Sequence, residues 1–169
     1  STNSGEKIVQ SEKDIANSFN DFFVNIGPKL AEAIPAGSGN HMTYLSSQND
    51  NSLTWVPVTA IEIYIYLQAL DNRKAHGFDN LPIRMLKDAA HIISKPLSYI
   101  FNLSLENGIF PDFLKTAKVT PIYKKGSREE PGNYRPISVL PIVAKVFEKI
   151  VNKRLIEFLD LHNILYKHQ

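Results

Sequence analysis

Hydrophobic positions recur at helical spacing in several stretches, and two of these stretches begin with a pair of residues typical of a helix start. Ser11 precedes Asp14 by three residues, and Thr59 precedes Glu62 by three, which is the spacing of a capping box. The first pair introduces a stripe rich in phenylalanine. Because periodic aromatic side chains usually pack on another element, we expect a docking face there rather than a ligand site. The stripe consists of Ile15, Phe19, Phe22, Phe23, Ile26 and Leu30.

The second pair introduces a helix over about residues 59–70 that is apolar nearly all round. We expect it to be buried on two sides, and its β-branched content leaves a strand as the alternative. Pro82 suits the first turn of a third helix over about 82–90. A fourth helix is predicted over about 92–107, because Gly108 stands where a helix end favours a positive φ.

Gly, Ser, Asn, Gln and Asp dominate residues 35–52, which makes this stretch the best linker candidate. Residues 72–80 are also a loop by composition. We therefore divide the chain into a helical segment at 1–34, a flexible linker at 35–56 and a third part at 57–169.

A different pattern begins after Pro111, with two short β-prone stretches at residues 117–124 and 134–140. Pro121 in the first stretch requires an edge strand or a bulge. The intervening residues 125–133 are rich in turn formers, so the pattern predicts a hairpin with a basic tip.

A long amphipathic helix is predicted from Ile142 to about Leu159. The expected fold class is therefore α+β, with a mostly helical N-terminal part, a small antiparallel hairpin and a long amphipathic helix. The charged face of that last helix is expected to carry Lys145, Lys149, Lys153 and Arg154.

Composition narrows the class of protein. The 169 residues are 43% apolar and include no cysteine, which excludes disulfides and thiolate zinc sites and favours a reducing compartment. The longest apolar run, residues 63–67, is too short to cross a bilayer. Residues 1–114 hold 8 Lys/Arg and 12 Asp/Glu, whereas residues 115–169 hold 11 and 5. The basic final third suggests a surface for a polyanion, and a solvated face is the alternative.

Candidate chemistry is concentrated at the hairpin. The five histidines are scattered, and we find no Asp-Asp pair, Gly-rich phosphate loop or nucleophile motif. Cations beside aromatic rings at a glycine-containing tip suit a ligand that carries phosphate. These residues are Tyr123, Lys124, Lys125, Arg128, Tyr134 and Arg135.

Several segments in a fixed order resemble the opening motifs of the reverse transcriptases of non-LTR (LINE-type) retrotransposons. The resemblance covers roughly residues 70–169 and implies the N-terminal extension and fingers of a right-hand polymerase, ending before the palm. The segments are Lys74-Ala75-His76-Gly77-Phe78-Asp79-Asn80-Leu81-Pro82, Asn107-Gly108-Ile109-Phe110-Pro111, Pro121-Ile122-Tyr123-Lys124-Lys125-Gly126-Ser127-Arg128, Asn133-Tyr134-Arg135-Pro136-Ile137-Ser138-Val139-Leu140-Pro141 and Lys145-Val146-Phe147-Glu148-Lys149-Ile150.

The resemblance implies RNA-directed DNA polymerisation for the parent protein. It assigns Lys124 and Arg135 to the triphosphate of the incoming nucleotide, and the neighbouring residues to nucleic acid. The expected partners are an RNA template, a DNA primer, deoxynucleoside triphosphates and the palm, on which this segment would dock. No membrane partner is expected, and the expected location is the cytoplasm or nucleus. The residues expected at nucleic acid are Tyr123, Lys125, Arg128 and Tyr134.

No catalytic residue, metal ligand or cofactor site is expected in this stretch, since the family's Mg²⁺ ligands lie in the palm. The chain by itself is therefore expected to be inactive. Two alternatives stay open. One is a non-catalytic module that binds RNA or DNA, and the other is a protein-interaction module that uses the phenylalanine stripe.

Overall fold

The computed structural model describes residues 11–35, 37 and 50–165. Within these ranges the chain forms six α-helices and two strands, which confirms the α+β class. In chain order the elements are α1 Glu12–Glu32, α2 Ala60–Gln68, α3 Ile83–Asp88, α4 Ala90–Asn107, α5 Asp112–Lys115, β1 Lys118–Tyr123, a 3₁₀ turn Pro131–Asn133, β2 Tyr134–Val139 and α6 Ile142–Leu161.

The chain divides into two compact units. In its described residues, the first unit comprises 11–35, 37 and 119–137, and the second comprises 50–118 and 138–165. The predicted linker lies mostly outside the described residues, so the boundaries proposed at 34 and 56 stay predictions.

In the first unit, α1 begins at the predicted cap. The Ser11 hydroxyl oxygen accepts a hydrogen bond from the Asp14 N–H at 3.1 Å, and the hydroxyl donates to the Asp14 carboxylate at 2.6 Å. Phe19 meets the ring of Tyr134 edge-on, with 4.7 Å between centroids. Phe22 lies beside Gly132 of the 3₁₀ turn. The aromatic part of the stripe is thus a packing face as expected, whereas the aliphatic positions remain exposed. Those positions are Ile15, Ile26 and Leu30.

The second unit has a core built around stacked aromatic rings. Phe101 of α4 lies on Phe147 of α6 with 4.2 Å between ring centroids, and Phe110 packs on Phe147 at 5.3 Å. Aliphatic side chains from α2, α3, α5 and α6 surround these rings. The buried members are Val58, Ile63, Leu67, Ile83, Leu86, Ala90, Phe101, Leu114, Ile142, Ala144, Val146, Phe147 and Ile150.

Helix α2 is capped as predicted, since the Thr59 hydroxyl accepts the N–H of Glu62 at 3.1 Å. The prediction that α2 is buried on two sides is wrong. Ile63 and Leu67 are 0% exposed, but Ile61 and Ile65 on the opposite side are 72% and 59% exposed. The apolar content of a helix does not determine how many neighbours surround it, and here only one stripe faces α4 and α6.

The helices that follow begin and end close to their predicted positions. Pro82 is the residue before α3 rather than part of its first turn, and its extended backbone starts the helix. Ala89 separates α3 from α4, so α4 begins two residues earlier than predicted. Gly108 ends α4 with φ of 64°, which confirms the predicted C-cap.

Helix α6 is amphipathic as predicted, but two of its cations are not on a solvated face. The Arg154 side chain is 12% exposed and donates to both carboxylate oxygens of Glu62, at 3.1 and 2.9 Å. It also donates to the Val56 carbonyl at 3.1 Å. Lys145 is half-buried, and its Nζ donates to the carbonyl of Ala75 at 3.3 Å.

Candidate nucleic-acid interface

The hairpin predicted from the turn residues is present. Strands β1 and β2 form a two-stranded antiparallel sheet, and its ladder extends beyond them because the Lys124 N–H donates to the Asn133 carbonyl at 2.8 Å. Pro121 and Pro136 lie inside the strands. Each strand of a two-stranded sheet is an edge strand, so neither proline removes a hydrogen bond that the sheet requires.

The loop between the strands is held from within by side chains. The Tyr123 hydroxyl donates to the carbonyl of Gly126 at 2.6 Å, and the Tyr134 hydroxyl donates to that of Arg128 at 2.9 Å. Asn133 Nδ2 donates to the Ser127 carbonyl at 3.0 Å. Both tyrosine hydroxyls therefore bind the loop backbone, and these bonds pre-shape the loop.

The two tyrosine rings lie together on one face of the hairpin, which we call the tyrosine face. Their centroids are 5.5 Å apart in an edge-on arrangement. The guanidinium of Arg128 lies 4.8 Å from the centroid of Tyr123, within the range of a cation–π contact. Phe19 of α1 also packs edge-on against Tyr134. Of the predicted site residues, the tyrosine face therefore brings together Tyr123, Arg128 and Tyr134.

Arg135 belongs to the opposite face of the hairpin. Side chains alternate along a strand, so Arg135 and Ile122 point away from their neighbours on the tyrosine face. Ile122 and Ile137 are 49% and 48% exposed, and Arg135 is exposed as well. Lys124 follows Tyr123 at the end of β1 and continues the same alternation. We call the surface of Ile122, Lys124, Arg135 and Ile137 the arginine face.

The structure thus separates the six predicted site residues into two groups and a loop residue. Lys124 and Arg135 share the arginine face, three residues share the tyrosine face, and Lys125 is exposed in the loop. Residues 118–135 hold five Lys/Arg and two Glu, so the hairpin is positively charged. The ion pairs among the described residues involve none of the four cations Lys124, Lys125, Arg128 and Arg135.

Sequence reasoning missed two residues that shape this hairpin. Asn133 fixes the loop through its side-chain amide, and Gly126 adopts φ of 92° directly beside that amide. An added Cβ at Gly126 would lie 2.6 Å from Asn133 Nδ2, so both the backbone angle and the available space require glycine. In the sequence, the position of Gly126 inside a basic turn was the feature that could have indicated its role.

Among the residues that the structure describes, none forms a candidate metal centre beside the hairpin. In the part of the chain that the structure describes, no three His, Cys, Asp or Glu side chains come together in a way that could hold an ion. The described residues therefore lack the cluster of carboxylates that would hold two Mg²⁺ ions. Across residues 11–35, 37 and 50–165, no helix is long and apolar enough to cross a membrane.

Comparison with known proteins finds similarity to polymerases of mobile genetic elements. The chain is 35% identical over 130 residues to the RNA-directed DNA polymerase from the mobile element jockey of Drosophila melanogaster, covering 75% of this chain and 14% of that protein. It is 28% identical over 166 residues to the probable RNA-directed DNA polymerase from transposon BS, covering 98% and 18%. It is 31% identical over 114 residues to that from transposon X-element, covering 67% and 13%. Both of these are also from Drosophila melanogaster.

The resemblance to the reverse transcriptases of non-LTR retrotransposons is therefore confirmed, and this chain is related to a part of them. The chain spans less than a fifth of the length of these relatives. No protein-family model matches it.

Proposed function

We propose that this chain is the N-terminal extension and fingers portion of a retrotransposon RNA-directed DNA polymerase, and that its hairpin binds the nucleic-acid substrate and the incoming nucleotide. One observation carries the proposal. Cations that form no ion pair with any described residue lie on both faces of a pre-shaped hairpin, inside the stretch that resembles the polymerases. The proposed partial right-hand polymerase fold gives this hairpin the position of the fingers.

The two faces of the hairpin suit two parts of the substrate. Lys124 and Arg135 on the arginine face are assigned to the triphosphate, because an arginine fork can hold phosphate oxygens bidentately. Arg128 and the exposed side of Tyr123 suit a nucleic-acid strand, whose phosphates need charge and whose bases can stack on an aromatic ring. Lys125 adds charge from the loop, while Tyr134 supports the tyrosine face through its ring and hydroxyl.

In phosphoryl transfer of this type, the protein contributes mostly positioning and electrostatic stabilisation. Mg²⁺ would supply charge stabilisation in the complete polymerase. In this proposal its ligands lie in the palm, on which the fingers dock, rather than among the residues described above. The proposed partners are an RNA template, a DNA primer and deoxynucleoside triphosphates, and the proposed place of action is the cytoplasm or nucleus.

Salt dependence tests the nucleic-acid surface. The joint change of Lys124, Lys125, Arg128 and Arg135 to Ala should weaken binding of the 169-residue chain to a 12-base-pair RNA–DNA duplex. If all four side chains neutralise phosphates, the slope of log K against log[salt] should flatten by about 3 to 4 units. Fluorescence anisotropy between 50 and 200 mM KCl measures the slope.

A variant with the same change in net charge provides the control for the salt experiment. Lys13, Arg84, Lys95 and Lys153 are exposed cations outside the hairpin, and their joint change to Ala should leave the slope nearly unaltered. Equal slopes for the two four-residue variants would move the contact surface away from the hairpin and favour the protein-interaction module.

Exchange of Arg for Lys tests the nucleotide site, because Lys keeps the charge but loses the bidentate geometry. Arg135→Lys should weaken binding of a deoxynucleoside triphosphate about tenfold or more, the effect of losing one charge-assisted contact worth about 1.5 to 3 kcal/mol. Arg128→Lys, the matched exchange on the tyrosine face, should change it less than twofold. NMR titration of the 169-residue chain measures both. Similar affinities for the two variants would remove Arg135 from the proposed nucleotide site.

A further inference from the structure

The second compact unit contains a concave site whose lining includes no residue of the hairpin. A cleft of about 550 Å³ opens between the segment that follows α2, the start of α3 and one face of α6. Its volume lies within the range of 300 to 1,000 Å³ that is usual for small-molecule sites. We call it the lysine cleft. Its charged lining consists of Asp71, Lys74, Lys145, Glu148 and Lys149.

Three lysines give the cleft its charge. Lys74 comes from the loop after α2, and Lys145 and Lys149 lie one turn apart on α6. Of the two carboxylates in the lining, that of Asp71 already binds Arg73 in a bidentate pair, with donor–acceptor distances of 3.1 and 3.0 Å. This arginine holds the pKa of the Asp71 carboxyl below its usual range, and backbone hydrogen bonding contributes. Glu148 is the remaining carboxylate, so the lining with its Arg73 partner is positive.

The pKa of Lys145 is lowered by its position in the cleft. Burial lowers the pKa of its ammonium, and the nearby charge of Lys74 lowers it further, although Asp79 and Glu148 act in the opposite direction. The direct hydrogen bond of its Nζ to the Ala75 carbonyl satisfies only one of three donors. The exposed Lys74 repels the half-buried Lys145, so an anion beside these ammonium groups would be stabilised.

The floor of the cleft is apolar. Ile83 and Ile142 are 4% and 1% exposed, and Leu70 is half-buried beside them. The amide of Asn152 lies at the far end of the lining, one turn beyond Lys149 on α6. An apolar floor with a cationic rim matches a ligand that carries a flat, weakly polar ring next to a phosphate group.

We propose that the lysine cleft binds a nucleoside phosphate, with the base against Leu70 and the phosphate at Lys74 and Lys149. The source is either a free nucleotide or one unit of a single strand. This site goes beyond the function proposed above, since it lies in the other compact unit and shares no residue with the hairpin.

The experiment uses the 169-residue chain and two probes, a fluorescent ATP analogue and a labelled 12-nucleotide oligouridylate. Lys74 and Lys149 are exposed, so their joint change to Gln removes charge without opening the core. The affinity of whichever probe occupies the cleft should fall about tenfold or more, because its phosphate no longer meets two ammonium groups. A drop for ATP alone assigns a free nucleotide, and a drop for the oligonucleotide assigns a strand.

Two controls make the result specific to the cleft. Lys95→Gln with Lys153→Gln has the same charge change on α4 and α6 outside the lining, and should cost less than twofold for either probe. In the unaltered chain, the bound probe should shift the NMR amide signals of Leu70, Lys74 and Asn152. Arg135→Gln should leave these shifts in place, which separates this site from the hairpin. The proposal is overturned if neither probe distinguishes the cleft variant from the control, or if the shifts are confined to residues 119–137.

Discussion

Arg154→Met should lower the free energy of unfolding of this chain by about 2 to 3 kcal/mol, because it leaves the Glu62 carboxylate unpaired in a half-buried place. The two side chains are 12% and 22% exposed, so water screens the pair less than it screens a surface pair, and the loss stays below that of a fully buried one. The Val56 carbonyl loses its guanidinium donor at the same time. Urea denaturation followed by circular dichroism gives the change.

Lys153→Met, one residue earlier on α6, is the matched control. Lys153 pairs with Glu157 at 3.9 Å, and both side chains are more than half exposed, so its loss should stay within about 0.5 kcal/mol. A double-mutant cycle with Glu62→Gln should show a coupling of about 1 to 2 kcal/mol between Arg154 and Glu62. If Arg154→Met and Lys153→Met have the same free energy of unfolding, the ion pair of Arg154 with Glu62 does not stabilise the second unit.

The role of Arg154 also shows where sequence reasoning ends. Periodicity predicts the apolar stripe of α6 correctly and, by the same arithmetic, places Arg154 with the lysines on a solvated face. Its partner Glu62 is 92 residues away and lies in the first turn of a different helix. No periodicity within one helix contains that contact, because it depends on how α2 packs against α6. The prediction that α2 is buried on two sides is wrong for the same reason, since the sequence does not show which elements pack against the helix.

The hairpin was predictable to a greater extent, since local chemistry determines it. Turn-forming residues 125–133 between two β-prone stretches predict both strands and the loop. The six candidate residues are also evident from the sequence. Their division between two faces requires the register, which the contact of Tyr123 with Tyr134 establishes. The lysine cleft was not predictable, because Lys74 and Lys149, which both line it, come from segments far apart in the chain.

Gly77→Ala should lower the free energy of unfolding about as much as Arg154→Met does, but for a different reason. A Cβ at Gly77 would lie 2.6 Å from the N of Pro141 and 2.8 Å from the carbonyl carbon of Leu140. Real Cβ atoms do not approach backbone this closely, so either the loop or the start of α6 must move. We expect a loss of about 3 kcal/mol in the free energy of unfolding, the upper part of the usual range for overpacking. Thermal and urea denaturation measure it.

Gly27→Ala, inside α1, is the control with the opposite sign. Nothing lies within 4 Å of its added Cβ, and alanine is the better helix former, so this change should stabilise α1 by up to about 1 kcal/mol.

Gly77 lies in the same loop as Lys74 and follows Ala75 and His76 in the stretch that resembles the polymerases. Because Ala75 receives the hydrogen bond of Lys145, displacing this loop should also weaken probe binding in the lysine cleft. If Gly77→Ala unfolds at the same urea concentration as the unaltered chain, the loop does not need its close approach to Pro141, and the glycine there has a role other than packing.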